Sequence, residues 1–202
     1  MAAETRTPEP DEPRPMIEDH KMALAVEVAT RSNCIKTHVG AIILLGDRIV
    51  QTGYNGTISG ASDCFDGGCK RCADETIRRG EHLDRCVCVH AEANALTGAA
   101  RFGISVDGTE CYVTHEPCLE CTKLLIQAGI KEVVYLKTFQ YETADRNESR
   151  EAMRQLAEKK GVTKFLQIKS SRAEEWTQRL DEMKRRAEDY GRAKGIIIEA
   201  KD

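Results

Sequence analysis

Two motifs decide the fold of this chain: VHAEANAL at residues 89–96 and YVTHEPCLEC at residues 112–121. Each follows a strand-like apolar run and continues into a helical pattern. His90 and Glu92 open the first helix, and Cys118 and Cys121 open the second. Two successive strand–helix junctions of this kind predict an α/β fold with reactive side chains at two helix N-termini.

These side chains have the composition and spacing of a catalytic zinc site. Thiolates at a helix N-terminus face the positive end of the helix dipole, which lowers their pKa and favours metal binding. His90, Cys118 and Cys121 supply three ligands and leave the fourth tetrahedral position to water, which is the arrangement of a catalytic site. Glu92 is not needed as a ligand, and its carboxylate is well placed to meet that water.

The signature H-x-E…P-C-x-x-C is typical of zinc-dependent nucleobase deaminases. Zinc lowers the pKa of a bound water to roughly 7, which generates hydroxide at neutral pH. Attack at C4 of a cytosine ring needs protons at N3 and at the leaving amine, and one carboxylate can deliver both. A lone HxE is commonly a surface helix start, and a lone CxxC is redox-active or half a zinc ribbon. In this order, the two motifs together favour the deaminase interpretation.

The pattern outward from these motifs predicts five helices and five strands. The helices span about 16–32, 90–101, 118–128, 144–159 and 172–190, and the strands 41–45, 49–54, 110–114, 132–136 and 164–168. The first two strands, joined by Gly46-Asp47-Arg48, form a hairpin. This order predicts a three-layer α/β/α sandwich on a five-stranded mixed sheet, a cytidine deaminase-like architecture.

Three segments follow from composition. Residues 1–15 hold four of the five prolines among acidic residues, which predicts a disordered tail. Residues 16–170 form the deaminase domain, with a cysteine-rich insert at 57–89 that has no sustained periodicity. Residues 171–202 form a charged helical extension, whose apolar stripe (Trp176, Leu180, Met183, Ala187, Tyr190) is expected to pack on the core or on another subunit.

Composition also restricts partners and location. The chain has 202 residues, a formal net charge of −3 and no basic stripe, which argues against a bound polynucleotide and is neutral about a single nucleotide. No apolar stretch approaches the ~18 residues of a membrane span. The N-terminus has no apolar signal region, which predicts a cytoplasmic protein. Nine cysteines are then expected as thiols and metal ligands rather than disulfides.

From about residue 25 to 168 the chain resembles the deoxycytidylate (dCMP) deaminases and the similar competence-type (ComE-like) proteins of the zinc-dependent cytidine deaminase superfamily. The matching pieces are VGAIIL, GYNG, HAEANAL, YVTHEPCLEC and AGIKEVVY. The tRNA adenosine deaminases usually carry Met before the second cysteine, where this chain has Glu120. The resemblance implies hydrolytic deamination of dCMP to dUMP and ammonia, with Glu92 as the proton shuttle.

The resemblance also implies substrate contacts. Asn55 is the candidate for the sugar, although GYNG by itself is equally a turn leaving a strand. Ala91 and Tyr141 are further candidates, the latter through its hydroxyl. The cations expected near the phosphate are Arg31, Lys36 and Lys123. The chain departs from the family at Thr57-Ile58, where a small residue and proline are usual.

A second, structural zinc is implied in the loop before HAE. The positions that match this pattern are Cys34, Cys64, His82 and Cys86, a closed Cys₃His set. Cys69 and Cys72 form a competing CxxC pair that could replace two of these ligands. Cys88 and Cys111 lie in or near apolar runs and are interpreted as small core residues. The expected cofactors are therefore one catalytic and one structural Zn²⁺.

The same resemblance implies a homo-oligomer that dCTP activates and dTTP inhibits. Two alternatives stay open at this point. One is a deaminase of another small amine-bearing compound, such as cytidine, guanine or a specialised-metabolite base. The other is a catalytically inactive, zinc-stabilised binding protein, which the free carboxylate of Glu92 disfavours.

Overall fold

The computed structural model describes residues 14–77, 81–141 and 144–197. The predicted tail lies outside the described residues except for Arg14 and Pro15. The strands are β1 (Gly40–Leu45), β2 (Arg48–Tyr54), β3 (Gly56–Thr57), β4 (Cys88–Val89), β5 (Glu110–His115), β6 (Glu132–Lys137) and β7 (Lys164–Gln167). The helices are α1 (Ile17–Ala29), α2 (Lys70–Ala73), α3 (Ala91–Phe102), α4 (Leu119–Gln127), α5 (Ala144–Lys159) and α6 (Ala173–Ala193). Every predicted helix and strand overlaps one of these elements.

Five strands form one mixed sheet in the order β2–β1–β5–β6–β7. β1 pairs antiparallel with β2 and with β5, whereas β5, β6 and β7 run parallel to one another. Side chains alternate along β1, so Ile42 and Leu44 pack on one side of the sheet, and Ala41 and Ile43 pack on the other. Helices α1 and α6 cover the first side, and α3 and α4 cover the second. The predicted three-layer sandwich on a mixed sheet is confirmed.

The apolar stripe of α6 packs on the core of its own chain. Trp176 and Leu180 are each 2% exposed and belong to the same core cluster as Met22 and Val26 of α1. Met183 packs against that cluster as well. Of the two alternatives left open for this stripe, the structure selects the intramolecular one for Trp176, Leu180 and Met183, whereas Tyr190 at the end of the stripe is 43% exposed.

Helix α3 lies against β2 at a glycine of the GYNG segment. A Cβ at Gly53 would lie 2.2 Å from the carbonyl oxygen of Ala91 and 2.5 Å from the amide nitrogen of Ala95. Real Cβ atoms do not approach backbone this closely, so only glycine lets the first turn of α3 reach the sheet. Gly53 therefore controls how close the helix that follows His90 lies to β2.

Replacing Gly53 by alanine is expected to push α3 away from β2. We expect unfolding free energy to fall by about 1–3 kcal/mol, as for overpacked cores, because the new methyl group meets backbone that cannot rotate away. Thermal unfolding of zinc-saturated protein measures this loss. Thr52→Ala, at the exposed neighbouring position of β2, is the matched control and should change stability much less. Equal melting temperatures for the two variants would contradict this packing argument.

The cysteine-rich insert has short elements that its sequence does not predict. β3 and β4 pair antiparallel, Gly56 with Val89 and Thr57 with Cys88, and so close the two ends of the insert. Between them lie two 3₁₀ turns, Cys64–Asp66 and Leu83–Arg85, and the short helix α2. A separate core cluster of cysteines with Ile35 and Ile197 packs beneath these elements. No helix of the described ranges is both long and apolar enough to cross a membrane.

Candidate active site

The predicted zinc ligands come together at the N-termini of α3 and α4. His90 occupies the N-cap position of α3 and Cys118 that of α4. The Nδ1 atom of His90 lies 3.3 Å from Sγ of Cys118 and 3.5 Å from Sγ of Cys121. The three donor atoms all lie within 4.8 Å of one another. Two strand–helix junctions, one after β4 of the two-stranded sheet and one after β5 of the five-stranded sheet, therefore direct one imidazole and two thiols at a common point.

The spacing of these donors fits a zinc ion. Zn–N bonds of about 2.0–2.1 Å and Zn–S bonds of about 2.3 Å in a tetrahedron require an N···S separation of roughly 3.5 Å. The observed separations of 3.3 and 3.5 Å agree with that edge. Three donors leave one of the four positions open, so the residues fit a metal ion that also accepts water or substrate.

Local contacts favour the thiolate form of Cys118. A hydrogen bond from Cys121, and then the neighbouring His90, lower the pKa of the Cys118 thiol to about 3. The backbone amide of Cys121 also donates to Sγ of Cys118, at 3.5 Å. The hydroxyl of Tyr141 accepts a hydrogen bond from the Leu119 amide at 2.6 Å and contacts Cys118. Tyr141 thus supports the start of the ligand-bearing helix.

Glu92 lies beside these ligands in the first turn of α3. The residue is 5% exposed. Burial, and then the negative charge of Cys118, raise the pKa of the Glu92 carboxyl to about 7, while His90 acts in the opposite direction. The carboxyl also interacts with the Cys121 thiol. A carboxyl that exchanges its proton near neutral pH is suited to general acid–base catalysis.

A cavity of about 360 Å³ opens onto this group of residues. His90, Glu92 and Cys118 line it, together with the predicted substrate contacts Asn55 and Ala91. Its volume lies in the ~300–1,000 Å³ range of small-molecule sites. Tyr141 is not among the lining residues, whereas Phe139 is, and its ring lies edge-on to that of Tyr141 at 4.9 Å. Tyr141 was predicted to donate its hydroxyl to the substrate. The structure instead places that hydroxyl against the Leu119 amide, away from the cavity lining.

The side chain of Asn55 forms hydrogen bonds that order one wall of the cavity. Its Oδ1 accepts hydrogen bonds from the Ser32 hydroxyl at 2.8 Å and from the Val39 amide at 2.7 Å. Its Nδ2 donates to the carbonyl oxygen of Thr37 at 2.8 Å. The side-chain amide has two donor hydrogens, and this one bond uses one of them. Asn55 is therefore buried in a position from which it orders the segment before β1 and still borders the cavity.

Of the three cations predicted near a phosphate, only Lys36 lines the cavity. Arg31 is exposed, and Lys123 is exposed with its ammonium paired to Glu120 at 3.0 Å. Arg71, Lys184 and His115 line the cavity as well and were not predicted as site residues. Lys184 lies on α6, about ninety residues beyond Glu92, so only the packing of α6 brings it here and no local motif could have indicated it.

A buried ion network supports the loop that carries Cys118. The Glu116 carboxylate pairs with Arg154 and, at 3.4 Å, with Arg150, both on α5. It also accepts a hydrogen bond from the Phe139 amide at 2.9 Å. Glu116 is 7% exposed and directly precedes Pro117 and Cys118. This network joins the ligand loop to α5 and to the segment after β6.

The structure changes the predicted ligand set of the second metal site. Cys34 and Cys64 lie in one group of thiols with Cys72 and Cys88, whereas Cys86 lies in a second group with Cys69, Cys72 and Cys88. His82 is exposed and belongs to none of the ligand groups found among the described residues, so it does not complete the set. Cys88 is not a lone core residue, because the β3–β4 pairing turns it toward the other thiols. Cys111 is fully buried in the sheet core, as expected.

Sequence comparison shows what this site is similar to. The sequence model of the cytidine and deoxycytidylate deaminase zinc-binding region matches residues 16–137. The deoxycytidylate deaminase of Schizosaccharomyces pombe is 44% identical over 126 residues, which cover 62% of this chain and 38% of that protein. The ComE operon protein 2 of Bacillus subtilis is 42% identical over 118 residues, which cover 58% of each chain. The chain thus matches well under two thirds of these relatives' length.

Comparison with solved structures gives the same family as the sequence comparison. The dCMP deaminase of cyanophage S-TIM5, solved in complex with dCMP and dUMP, superposes with a TM-score of 0.56 and 30% sequence identity. The alignment covers 77% of this chain and 98% of the phage enzyme. Both comparisons therefore confirm the family resemblance that the motifs HAEANAL and YVTHEPCLEC indicated.

Proposed function

We propose that this chain, which belongs to the family of cytidine and deoxycytidylate deaminases defined by their zinc-binding region, hydrolyses dCMP to dUMP and ammonia. The observation that carries the proposal is the convergence of His90, Cys118 and Cys121 beside the buried carboxyl of Glu92, in a cavity that Asn55 also lines. The names of the fission yeast relative and of the phage structure support dCMP as the substrate.

Each side chain has a distinct part in this reaction. His90, Cys118 and Cys121 would hold a zinc ion, which lowers the pKa of water and so supplies the nucleophile near neutral pH. Glu92 takes a proton from the attacking water and passes it to N3 of the cytosine ring. It then takes the remaining proton of the hydroxyl on C4 and gives it to the leaving amine, so that the C–N bond breaks as the C4 carbonyl forms. The atoms balance as dCMP plus water giving dUMP plus ammonia. Burial excludes bulk water from Glu92, which keeps the transferred proton within the site.

Asn55 and Ala91 position the substrate in this proposal. Asn55 has one Nδ2 hydrogen beyond its bond to Thr37, which suits a hydroxyl of the sugar. Ala91 follows the ligand His90 directly and leaves room on the cavity wall for the flat face of a base. The aromatic ring of Phe139 supplies a second apolar contact on this wall.

Recognition of the phosphate is assigned to Lys36. Replacing Lys36 by methionine is expected to lower kcat/KM for dCMP by about ten- to a hundredfold, because a charge-assisted hydrogen bond contributes roughly 1.5–3 kcal/mol. The value for deoxycytidine should stay nearly the same. Steady-state ammonia release on both substrates measures the two constants. Lys123→Met is the control, since Lys123 is exposed and not on the cavity wall. This variant should change kcat/KM for neither dCMP nor deoxycytidine. A parallel loss on nucleoside and nucleotide would remove Lys36 from phosphate recognition.

A substrate panel tests the proposal as a whole. Ammonia release is measured with dCMP, CMP, deoxycytidine, dCTP, cytosine and guanine, and with single-stranded DNA and tRNA. We expect dCMP to be preferred over deoxycytidine by at least tenfold and the polynucleotides to be inert. A preference for cytidine, guanine or another base would support the first alternative. Binding of dCMP without ammonia release by zinc-loaded protein would support the inactive binding protein instead.

Family resemblance also supports a homo-oligomer regulated by dCTP and dTTP, and both stay predictions. The stripe of Trp176 and Leu180 is used inside the chain, so a subunit interface would have to form elsewhere.

A further inference from the structure

Six cysteine side chains meet beneath the insert, apart from the ligands of the proposed catalytic zinc. They are Cys34, Cys64, Cys69, Cys72, Cys86 and Cys88. Five of them are buried and Cys86 is half-buried. All are free thiols, and the Sγ···Sγ separations of 3.8–3.9 Å are far from the roughly 2.05 Å of a disulfide.

These sulfurs form two groups of four that share two members. One group is Cys34, Cys64, Cys72 and Cys88, and the other is Cys69, Cys72, Cys86 and Cys88. Within each group all Sγ atoms lie within 4.8 Å of one another. Four sulfurs at about 2.3 Å from a zinc ion lie roughly 3.8 Å apart, which matches Sγ···Sγ separations of 3.8 and 3.9 Å within these groups.

Cys72 and Cys88 each reach both groups. Sγ of Cys72 lies 3.9 Å from Sγ of Cys34 and 3.8 Å from Sγ of Cys86, one thiol of each group. Cys88 likewise contacts Cys34 and Cys69. Two separate tetrahedral ions would need eight thiolates, whereas two ions that share two thiolates need six. The chain places six in one cluster.

We propose that these six cysteines hold two zinc ions, with Cys72 and Cys88 bridging them and the other four bound to one ion each. Six sulfur ligands in tetrahedral groups select zinc among the common divalent ions, because soft thiolates disfavour magnesium and calcium. Both coordination spheres are closed by protein, which is the arrangement of a structural site. The cluster differs from the Cys₃His site expected from the sequence in ligands and in metal count.

The position of the cluster gives it a role in the neighbouring cavity. Cys34, Cys72, Cys86 and Cys88 all line that cavity. Cys34 is two residues from Ser32, whose hydroxyl binds Asn55, and Cys88 is two residues from His90. Metal binding therefore ties together segments of the insert and holds two walls of the active-site cavity. Binding free energy of this kind adds to the small cluster that these cysteines form with Ile35 and Ile197.

Metal analysis of purified, zinc-reconstituted and desalted protein is the first test. We expect three zinc ions per chain, and two in the double variant Cys118→Ser/Cys121→Ser, which removes only the catalytic ligands. Two ions per chain in the wild type and one in the double variant would overturn the proposal in favour of a single structural zinc. Iron together with acid-labile sulfide would overturn it in favour of an iron–sulfur cluster.

Cadmium NMR tests the bridges without any mutation. Wild-type protein loaded with ¹¹³Cd should show two resonances in the thiolate region that are each split by coupling to the other, because only a shared sulfur connects two ions through two bonds. A third, uncoupled resonance should come from the catalytic position and should be absent in the double variant. One unsplit cluster resonance would contradict a shared-thiolate site.

Two single substitutions distinguish a cluster that binds one zinc ion from a cluster that binds two. Cys64 belongs only to the first group and Cys69 only to the second. With two ions, Cys64→Ser and Cys69→Ser should each lower the zinc content by at least one ion and lower the melting temperature. A single ion would use one group and leave one of these substitutions silent, which would overturn the proposal. Cys111→Ser, a core thiol outside both groups, is the control and should keep all its zinc. Variants too unstable to purify leave the decision to the wild-type cadmium spectrum.

Discussion

Glu92→Gln is expected to lower kcat for deamination by at least the ~10²–10⁴-fold typical of acid–base groups and to leave the zinc content unchanged. The amide keeps the size of the carboxyl but cannot accept and return a proton. Glu92 is no member of the ligand group formed by His90, Cys118 and Cys121. Zinc content is measured on the same preparations as the turnover number.

Cys121→Ser is the matched variant, because it removes a ligand from the same site. It should lose the catalytic zinc and its activity together, whereas Glu92→Gln should lose activity alone. If Glu92→Gln also loses zinc, then Glu92 is a ligand and its assignment as a proton shuttle is wrong. If it keeps both zinc and near-normal turnover, another group moves the protons.

Glu116→Gln is expected to lower the free energy of unfolding by about 3–5 kcal/mol, as when one partner of a buried ion pair is removed. The guanidinium groups of Arg150 and Arg154 lose their carboxylate while their side chains are only 4% and 12% exposed. Nε and Nη1 of Arg150 have no hydrogen-bond partner within the described residues. Arg154 also lies 3.9 Å from the Glu151 carboxylate, but that side chain is 55% exposed, so the contact offsets only part of the loss. Urea unfolding of zinc-saturated protein measures the difference.

Glu120→Gln provides a control on the same segment. Glu120 pairs with Lys123 on the surface of α4 and its side chain is 64% exposed, so its loss should cost no more than about 0.5 kcal/mol. If both variants unfold at the same urea concentration, the Glu116 network does not stabilise the fold. We further expect Glu116→Gln to bind its catalytic zinc less tightly, since Glu116 anchors the loop that carries Cys118.

The secondary structure and the convergence of His90, Cys118 and Cys121 were predictable because their signals are local. The continuous apolar run of β1 and the 3.6-residue period of α1 depend only on neighbouring residues, and the predicted elements form. His90 and Cys118 each follow a strand-like run and open a helix in the sequence, which already predicts that both lie at helix N-termini. Glu92 lies two residues after His90, in the first turn of α3, and this position already places its carboxyl beside the predicted ligands.

The grouping of the other six thiols was not predictable in the same way. The insert has no periodicity, and six cysteines spread over residues 34–88 allow many pairings that sequence spacing does not rank. His82 matched a family pattern, but its side chain is exposed in the structure. Cys88 resembled a core residue until the pairing of β3 with β4 brought it among the other thiols.

The sequence by itself determined the architecture, the family and the convergence of His90, Cys118 and Cys121, because each depends on short motifs in a fixed order. Only the tertiary structure decided which cations border the cavity, where the stripe of α6 packs, and how Cys34 and the five insert thiols are arranged in two groups. Those outcomes depend on contacts between residues far apart in the chain, such as Lys184 with the cavity beside His90. Contacts of that kind follow from how the layers pack, which local propensity and spacing do not encode.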